Sequence, residues 1–215
     1  MIMSLQYLDQ LDSERQEVFR ELGYFSKRFV LAGGTAIMLQ IGHRKSYDFD
    51  CFSEKNLPRN LLHEIKKTFG RFISPRYQTS ELLTFLTYKG IEVTFACHPY
   101  RPLRKMVKTN SISLFHLDDL VANKAYTIGR RGQWRDYVDL FFFLKWEVYD
   151  LDTIIEFARK KFQGEFNEKL FLEQLVYFGD LTMAETVFLK ESYDEKEIKS
   201  FLEKQVEEYI QKRLH

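Results

Sequence analysis

Two aspartates, Asp48 and Asp50, are the residues whose type and spacing most clearly point to chemistry. They alternate with apolar residues over positions 47–52 (Tyr-Asp-Phe-Asp-Cys-Phe), which predicts a β-strand. Residues two apart in a strand share a face, so both carboxylates leave one face of the sheet while Phe49 and Cys51 leave the other. Neighbouring carboxylates suit a hard divalent cation such as Mg²⁺ or Mn²⁺. We therefore predict that Asp48 and Asp50 bind metal.

A glycine-rich turn lies upstream of this pair. The apolar stretch 29–32 predicts a short strand that runs into Gly33, Gly34 and Thr35, after which a helical pattern begins. Glycines let a phosphate approach the backbone closely, and the N–H groups of a helix start, with the Thr35 hydroxyl, can donate to it. The intervening residues 36–47 suffice for a short helix and a return into an adjacent strand. We expect the turn and the aspartates to meet.

The turn and the acidic pair together suit a nucleoside triphosphate, whose charge must be neutralised while the reacting groups are held in line. Between them lie Arg44, Lys45 and Ser46, which we predict to bind nucleotide with the turn. Each motif alone is weak, because alternating acids also describe the solvent face of an edge strand and Gly-Gly-Thr is an ordinary turn. Their combination is far more specific.

Lys124 lies on the apolar stripe of a helix predicted to begin near Leu117. The stripe contains Leu120, Val121, Ala125 and Ile128. An inward lysine is costly unless it meets an anion, so Lys124 is a candidate for the triphosphate or the leaving pyrophosphate. The alternative is a lysine at the edge of the stripe whose ammonium reaches water.

Asp136 and Asp139 share a face at the start of the next apolar helix. Asp136 could contribute to the site or simply cap that helix. Asp139 lies one turn deeper among apolar residues, and we expect it to pair with Lys124 and hold the lysine toward the substrate.

Two blocks of the sequence, taken together, resemble a known protein family. The first block contains Leu31-Ala32-Gly33-Gly34-Thr35-Ala36 and then Gly42, His43, Arg44, Ser46, Asp48, Asp50, Phe52 and Ser53. The second contains Leu117, Asp119, Leu120, Ala122, Lys124, Ala125, Gly129, Arg130, Arg131, Gly132, Arg135, Asp136, Asp139 and Leu140. This pattern, over roughly residues 29–145, is similar to the AbiEii/AbiGii-type nucleotidyltransferases, relatives of the polymerase-beta-like fold that include toxins of toxin–antitoxin and phage-defence systems.

The resemblance implies a Mg²⁺-dependent nucleotidyltransferase that moves a nucleoside monophosphate from a nucleoside triphosphate to an acceptor hydroxyl. It implies an RNA acceptor, with the 3′ end of tRNA as the first candidate, and an antitoxin partner. A catalytically impaired nucleotide- or RNA-binding module of the same fold is the alternative. A metal-dependent phosphohydrolase is a third reading, but the sequence offers no obvious water-activating base for it.

The third carboxylate of polymerase-beta-like enzymes has no direct counterpart in this chain. The corresponding strand spans residues 90–97, and Thr94 stands where relatives place an aspartate. Threonine cannot accept the proton of the attacking hydroxyl. A single-metal or altered site ranks first, substitution by Glu92 on the same face second, and an inactive chain third.

The 215 residues, of which 45% are hydrophobic and 16% aromatic, suffice for one α/β domain with a helical extension. We expect an α/β (α+β) nucleotidyltransferase fold, with a mixed sheet flanked by helices and followed by a C-terminal helical bundle. The core would cover residues 1–110 and the helical region residues 111–215, with 111–145 completing the active site. After Pro102 the pattern predicts helices throughout.

Charge is distributed unevenly along the chain. Residues 1–149 carry 22 Lys and Arg against 16 Asp and Glu, whereas residues 150–215 carry 10 against 15. Basic groups that could follow an RNA backbone are Arg101, Arg104, Lys105 and Lys108, and Arg130, Arg131 and Arg135. An ordinary solvated surface explains them equally well. No apolar run approaches the length of a membrane span and no export signal is apparent, so we expect a cytoplasmic protein without a membrane partner.

Overall fold

The structure, a computed structural model, describes residues 5–71 and 73–214, and at Arg131 the backbone alone. The chain divides into two compact units, one up to His116 and one from Leu117 onward. The first contains a five-stranded mixed sheet with flanking helices, and the second is built from helices. The predicted fold class is therefore confirmed.

The sheet of the first unit has the strand order β1-β2-β5-β4-β3. Its strands are β1 (Val30–Ala32), β2 (Phe49–Ser53), β3 (Ser74–Gln78), β4 (Leu82–Leu86) and β5 (Glu92–Cys97). The helices of this unit are α1 (Ser13–Leu22), α2 (Gly33–Ile41) and α3 (Leu61–Phe69). Strands β2 and β5 are parallel and the other neighbours are antiparallel. The acid-bearing strand β2 thus lies inside the sheet.

One face of the sheet forms the apolar core. Phe49 and Cys51 of β2 are buried, as the alternating pattern predicts. Phe19 of α1 stacks on Phe49 at 6.5 Å between ring centroids, and Phe69 of α3 contacts Phe85 of β4 at 5.5 Å. Because α1 and α3 cover this face, the alternate residues of β2 are directed to the opposite, partly exposed face.

Residues 112–115 belong to the first unit. The Leu31 N–H donates to the Ser113 carbonyl at 2.8 Å, and the Phe115 N–H donates to the Leu31 carbonyl at 3.0 Å. Val107 and Leu114 exchange two further backbone bonds, each 2.9 Å long. The expectation of continuous helix after Pro102 is therefore wrong, since this segment pairs with β1. The units divide at 116/117, slightly later than the 110/111 boundary drawn from the sequence.

The second unit is organised around α4. Its helices are α4 (Leu117–Arg131), α5 (Trp134–Lys145), α6 (Leu151–Phe162), α7 (Glu168–Leu175) and α8 (Glu195–Leu214). Helix α4 packs on α5, α6 and α7, and α5 also contacts α8. Helix α5 is buried on nearly all sides, which its run of apolar residues explains. None of the helices in the described part of the chain is long and apolar enough to cross a membrane.

Candidate active site

The glycine turn and the acidic strand meet, as predicted. Strands β1 and β2 pair with Ala32 opposite Asp50, so Asp50 lies beside the point where β1 turns into α2. Gly33 has a φ of +66°, and a Cβ built on it would lie 2.1 Å from Oδ2 of Asp50. Only glycine satisfies both the positive φ and this close approach. The Asp50 carboxylate therefore rests directly against the turn.

Gly34, the second glycine, lies against a buried cation. A Cβ on Gly34 would be 2.7 Å from Nη2 of Arg44 and 3.0 Å from Oγ of Ser46. The Arg44 side chain is almost fully buried, and its Nη1 donates to the Lys45 carbonyl at 3.0 Å. Lys45 itself is exposed. The structure thus brings a guanidinium and a hydroxyl to the backbone of the turn.

Thr35 ties the start of α2 to the loop before β2. Its buried hydroxyl lies 2.9 Å from Oγ of Ser46 and donates to the backbone carbonyl of Asp48. In this arrangement the hydroxyl positions the Asp48 loop. The predicted donation from Thr35 to a phosphate would require one of these bonds to open.

Asp48 and Asp50 are the two predicted metal ligands, and the carboxylate of Asp50 lies at the turn. Asp48 is exposed and immediately precedes β2, which begins at Phe49 and not at Tyr47; Asp50 is half-buried on the strand. Within residues 5–71 and 73–214, no group of three or more His, Cys, Asp or Glu residues forms a metal cluster. A pair of carboxylates fits Mg²⁺ or Mn²⁺, because Mg²⁺ commonly takes one or two protein carboxylates and completes its shell with substrate phosphates and water.

Thr94 is the direct neighbour of Asp50 on the parallel strand β5. Its hydroxyl lies 3.2 Å from that of Thr84 on β4. Glu92, two residues earlier and on the same face, accepts a hydrogen bond from Nη1 of Arg76 at 2.8 Å. Glu92 is therefore engaged at the β3 side of the sheet, and its use as a metal ligand would require it to leave Arg76.

The second unit contains the remaining predicted residues as one ion-paired cluster. Nζ of Lys124 lies 2.6 Å from Oδ1 of Asp136 and 2.6 Å from Oδ2 of Asp139, whose side chain is fully buried. The predicted pairing of Lys124 with Asp139 is therefore confirmed. Asp136 also accepts a hydrogen bond from the Gln133 N–H at 3.0 Å and caps α5, as one of the two roles considered for it requires; its contribution to a site stays a prediction. Two carboxylates balance the buried ammonium within this unit.

A second buried ion pair was not predicted from the sequence. Nζ of Lys161 on α6 lies 2.7 Å from Oδ1 of Asp119 on α4, and both side chains are completely buried. Burial lowers the pKa of Lys161, and the Asp119 carboxylate opposes that shift. The signal was present, because Lys161 continues the inward spacing of Ile154 and Ala158. The pair joins two helices that pack closely.

The fold and the paired turn and acidic strand define a protein of the nucleotidyltransferase class. The family model described as "Nucleotidyl transferase AbiEii toxin, Type IV TA system" matches residues 18–213. The chain belongs to this family, and the resemblance found in the sequence is confirmed.

One sequence relative and two solved structures are similar to most of this chain. An uncharacterized protein of Aquifex aeolicus, aq_aa25, is 30% identical over 192 residues, which cover 85% of this chain and 88% of that protein. Among solved structures, the nucleotidyltransferase toxin MenT4 of Mycobacterium tuberculosis aligns with a TM-score of 0.63 at 13% identity, over 94% of this chain and 83% of MenT4. An H. pylori protein described as a nucleotidyltransferase aligns with a TM-score of 0.57 at 18% identity, over 99% of both chains. The two structures share the fold with this chain.

Proposed function

We propose that this chain transfers a nucleoside monophosphate from a nucleoside triphosphate to an acceptor hydroxyl and releases pyrophosphate. The observation that carries the proposal is the contact of the Asp50 carboxylate with Gly33, which brings one of the two predicted metal ligands to the glycine turn. Membership in a nucleotidyl transferase toxin family supports the reaction class.

Asp48 and Asp50 would hold Mg²⁺ or Mn²⁺, which supplies charge neutralisation and in-line orientation at the triphosphate. The backbone of Gly33 and Gly34 would donate hydrogen bonds to phosphate oxygens at the start of α2. Arg44, buried behind Gly34, adds fixed positive charge at this point. The exposed Lys45 and the Ser46 hydroxyl would complete the phosphate contacts.

The acceptor in this proposal is RNA, first of all the 3′ end of tRNA, and the role is that of a growth-inhibiting toxin with a cognate antitoxin. Exposed cations of the first unit support an RNA partner, because phosphate contacts dominate nucleic-acid affinity. These cations are Arg101, Arg104, Lys105 and Lys108. The family description, which names a toxin–antitoxin system, supports the biological role.

Thr94 favours an altered or single-metal site built on Asp48 and Asp50, since Glu92 is engaged by Arg76. Thr94 also motivates the second candidate function, a binding module of this fold that retains nucleotide without transferring it. For Lys124, Asp136 and Asp139, a catalytic role is proposed on the family pattern. Their ion pairs within the second unit also support a structural role.

The discriminating experiment incubates the full chain with each α-³²P-labelled nucleoside triphosphate, Mg²⁺ and total tRNA. Transfer predicts label covalently attached to RNA after denaturing electrophoresis. A binding module predicts retention of nucleotide without covalent label. A phosphohydrolase predicts conversion of the triphosphate to labelled nucleoside monophosphate without label on RNA. Omitting Mg²⁺, with EDTA present, should abolish the covalent label.

A further inference from the structure

A cavity of about 350 Å³ lies in the first unit, and residues of the acid-bearing strand β2 form part of its wall. Phe52 contributes to its wall and is the second residue after Asp50 on β2, so both side chains leave the same face of the sheet. Two residues of strand span about 7 Å. Val30, which pairs with Phe52 across β1 and β2, lines the same cavity. A molecule at the acidic pair would therefore reach this cavity along the strand.

Three of the aromatic side chains that line the cavity contact one another. The Phe52 ring stacks on the imidazole of His98 with 4.9 Å between centroids and 26° between planes. Phe115 meets Phe52 at 6.4 Å and His98 at 6.2 Å, edge-on in both cases. Phe52 and His98 are only partly buried. Part of the aromatic ring surface in this wall is therefore not buried in the apolar core and is accessible from the cavity.

Polar and charged groups surround this aromatic wall, including one exposed carboxylate, that of Glu54. Lys27 and Lys55 are exposed at its rim, and Asn56, also exposed, adds an amide with donor and acceptor atoms. The Ser53 hydroxyl, which accepts a hydrogen bond from the Lys55 N–H at 3.2 Å, lines the cavity as well. Flat apolar surface, amide edge groups and positive charge are together the features that bind a base and its phosphate.

We propose that this cavity binds a nucleobase, with the adjoining phosphate held by Lys27 and Lys55. The proposal rests on the proposed function, because the cavity then lies beside the reacting phosphates. The base belongs either to the incoming nucleoside triphosphate or to the terminal nucleotide of the RNA acceptor. Both have the same stacking face and hydrogen-bonding edge, so the experiment separates them by probe.

The test measures equilibrium binding with Mg²⁺ present, on the full chain, for two classes of probe. One class is the four ribonucleoside triphosphates, and the other is a set of short single-stranded RNAs that differ in the 3′ nucleotide. Phe52→Leu removes the ring while keeping apolar volume, and Tyr24→Leu, at a fully separate exposed tyrosine, is the control. Stacking on an aromatic side chain predicts about 10-fold weaker binding for Phe52→Leu and no change for the control.

The polar rim gives a second variant that should leave folding intact. Lys55→Ala is expected to weaken binding of the same probe class several-fold, with a shallower dependence on salt, whereas Lys66→Ala on α3 should change neither. Weakening confined to the triphosphates assigns the cavity to the incoming base, and weakening confined to the RNAs assigns it to the acceptor.

The proposal is overturned if neither Phe52→Leu nor Lys55→Ala weakens either class more than twofold, or if the wild-type chain binds neither class. Its failure is separable from that of the proposed function. If transfer to RNA is normal and binding does not depend on the Phe52 ring, only the proposal of a nucleobase in this cavity is refuted. If binding depends on the Phe52 ring but no transfer occurs, only the proposed transferase activity is refuted.

Discussion

The carboxylate of Asp50 lies against the α-carbon of Gly33, at the turn that connects β1 with α2. The antiparallel pairing of Ala32 with Asp50 produces this contact, since it brings the last residue of β1 beside the second residue of β2. Backbone donors and a carboxylate are thereby fixed at one point. Such preorganisation lets a site bind a charged substrate without reorganising when it reacts.

Replacing Gly33 by alanine should abolish nucleotide transfer. The new Cβ would lie 2.1 Å from Asp50 Oδ2 and the residue would keep a φ of +66°, so both the turn and the carboxylate must move. Gly90→Ala is the matched control, because Gly90 has a φ of +73° but no atom within 4 Å of the added Cβ. We expect Gly90→Ala to lose about 1–2 kcal/mol of unfolding free energy and to keep its activity. Equal activity losses in both variants would contradict a local role for Gly33.

Replacing Thr94 by valine tests whether the altered third position takes part in the reaction. Threonine is no base at neutral pH, so Thr94→Val should retain transfer within about twofold if the site is built on Asp48 and Asp50. The lost hydrogen bond to Thr84 should cost about 1 kcal/mol, measurable by urea unfolding. A large fall in kcat at unchanged stability would instead assign Thr94 a contact with substrate.

Glu92→Gln tests whether Glu92 serves as the third carboxylate of the site. The ion pair with Arg76 leaves Glu92 partly exposed, so Glu92→Gln should change stability by less than about 1 kcal/mol. If Glu92 does not bind metal, the Mg²⁺ concentration for half-maximal activity should also stay the same. An increase in that concentration, absent in Arg76→Gln, would favour Glu92 as the missing ligand.

Removing Asp139 should destabilise the second unit. Asp139→Leu would leave the buried Lys124 with a single carboxylate partner, Asp136, and loss of one partner from a buried ion pair costs about 3–5 kcal/mol. Circular dichroism during urea unfolding would measure this. Lys124→Arg keeps the charge while changing the shape of the cation. Folded Lys124→Arg protein with much reduced kcat would support a catalytic role, and unchanged kinetics would leave Lys124 with a structural one.

The buried pair of Lys161 and Asp119 allows a double-mutant cycle. Lys161→Met and Asp119→Leu should each destabilise the chain by about 3–5 kcal/mol, because each leaves an uncompensated buried charge. The double variant should recover most of this loss, since an apolar pair needs no charge compensation. Additive losses would show that the pair is not coupled.

The local elements of this fold could be predicted from the sequence, because the periodicity of apolar residues indicates which face of a strand or helix is buried. The alternation of Phe49, Asp50, Cys51 and Phe52 predicted the strand and its two faces, although the strand begins after Asp48, and the inward position of Lys124 predicted its pairing with Asp139. The sheet order and the pairing of Ser113 with Leu31 were not readable, because they join segments far apart in the chain. The same limit hid the partner of Lys161, which lies on another helix.

We propose that Asp48 and Asp50 would hold the divalent cation, which would neutralise the charge of the triphosphate beside the glycine turn. The most direct test is the rate of Mg²⁺-dependent transfer of α-labelled nucleotide to RNA by Asp50→Ala, with Asp9→Asn, at an exposed acid, as control. We predict no transfer by folded Asp50→Ala protein and wild-type transfer by Asp9→Asn. Full transfer activity in Asp50→Ala would show that Asp50 is not a required metal ligand.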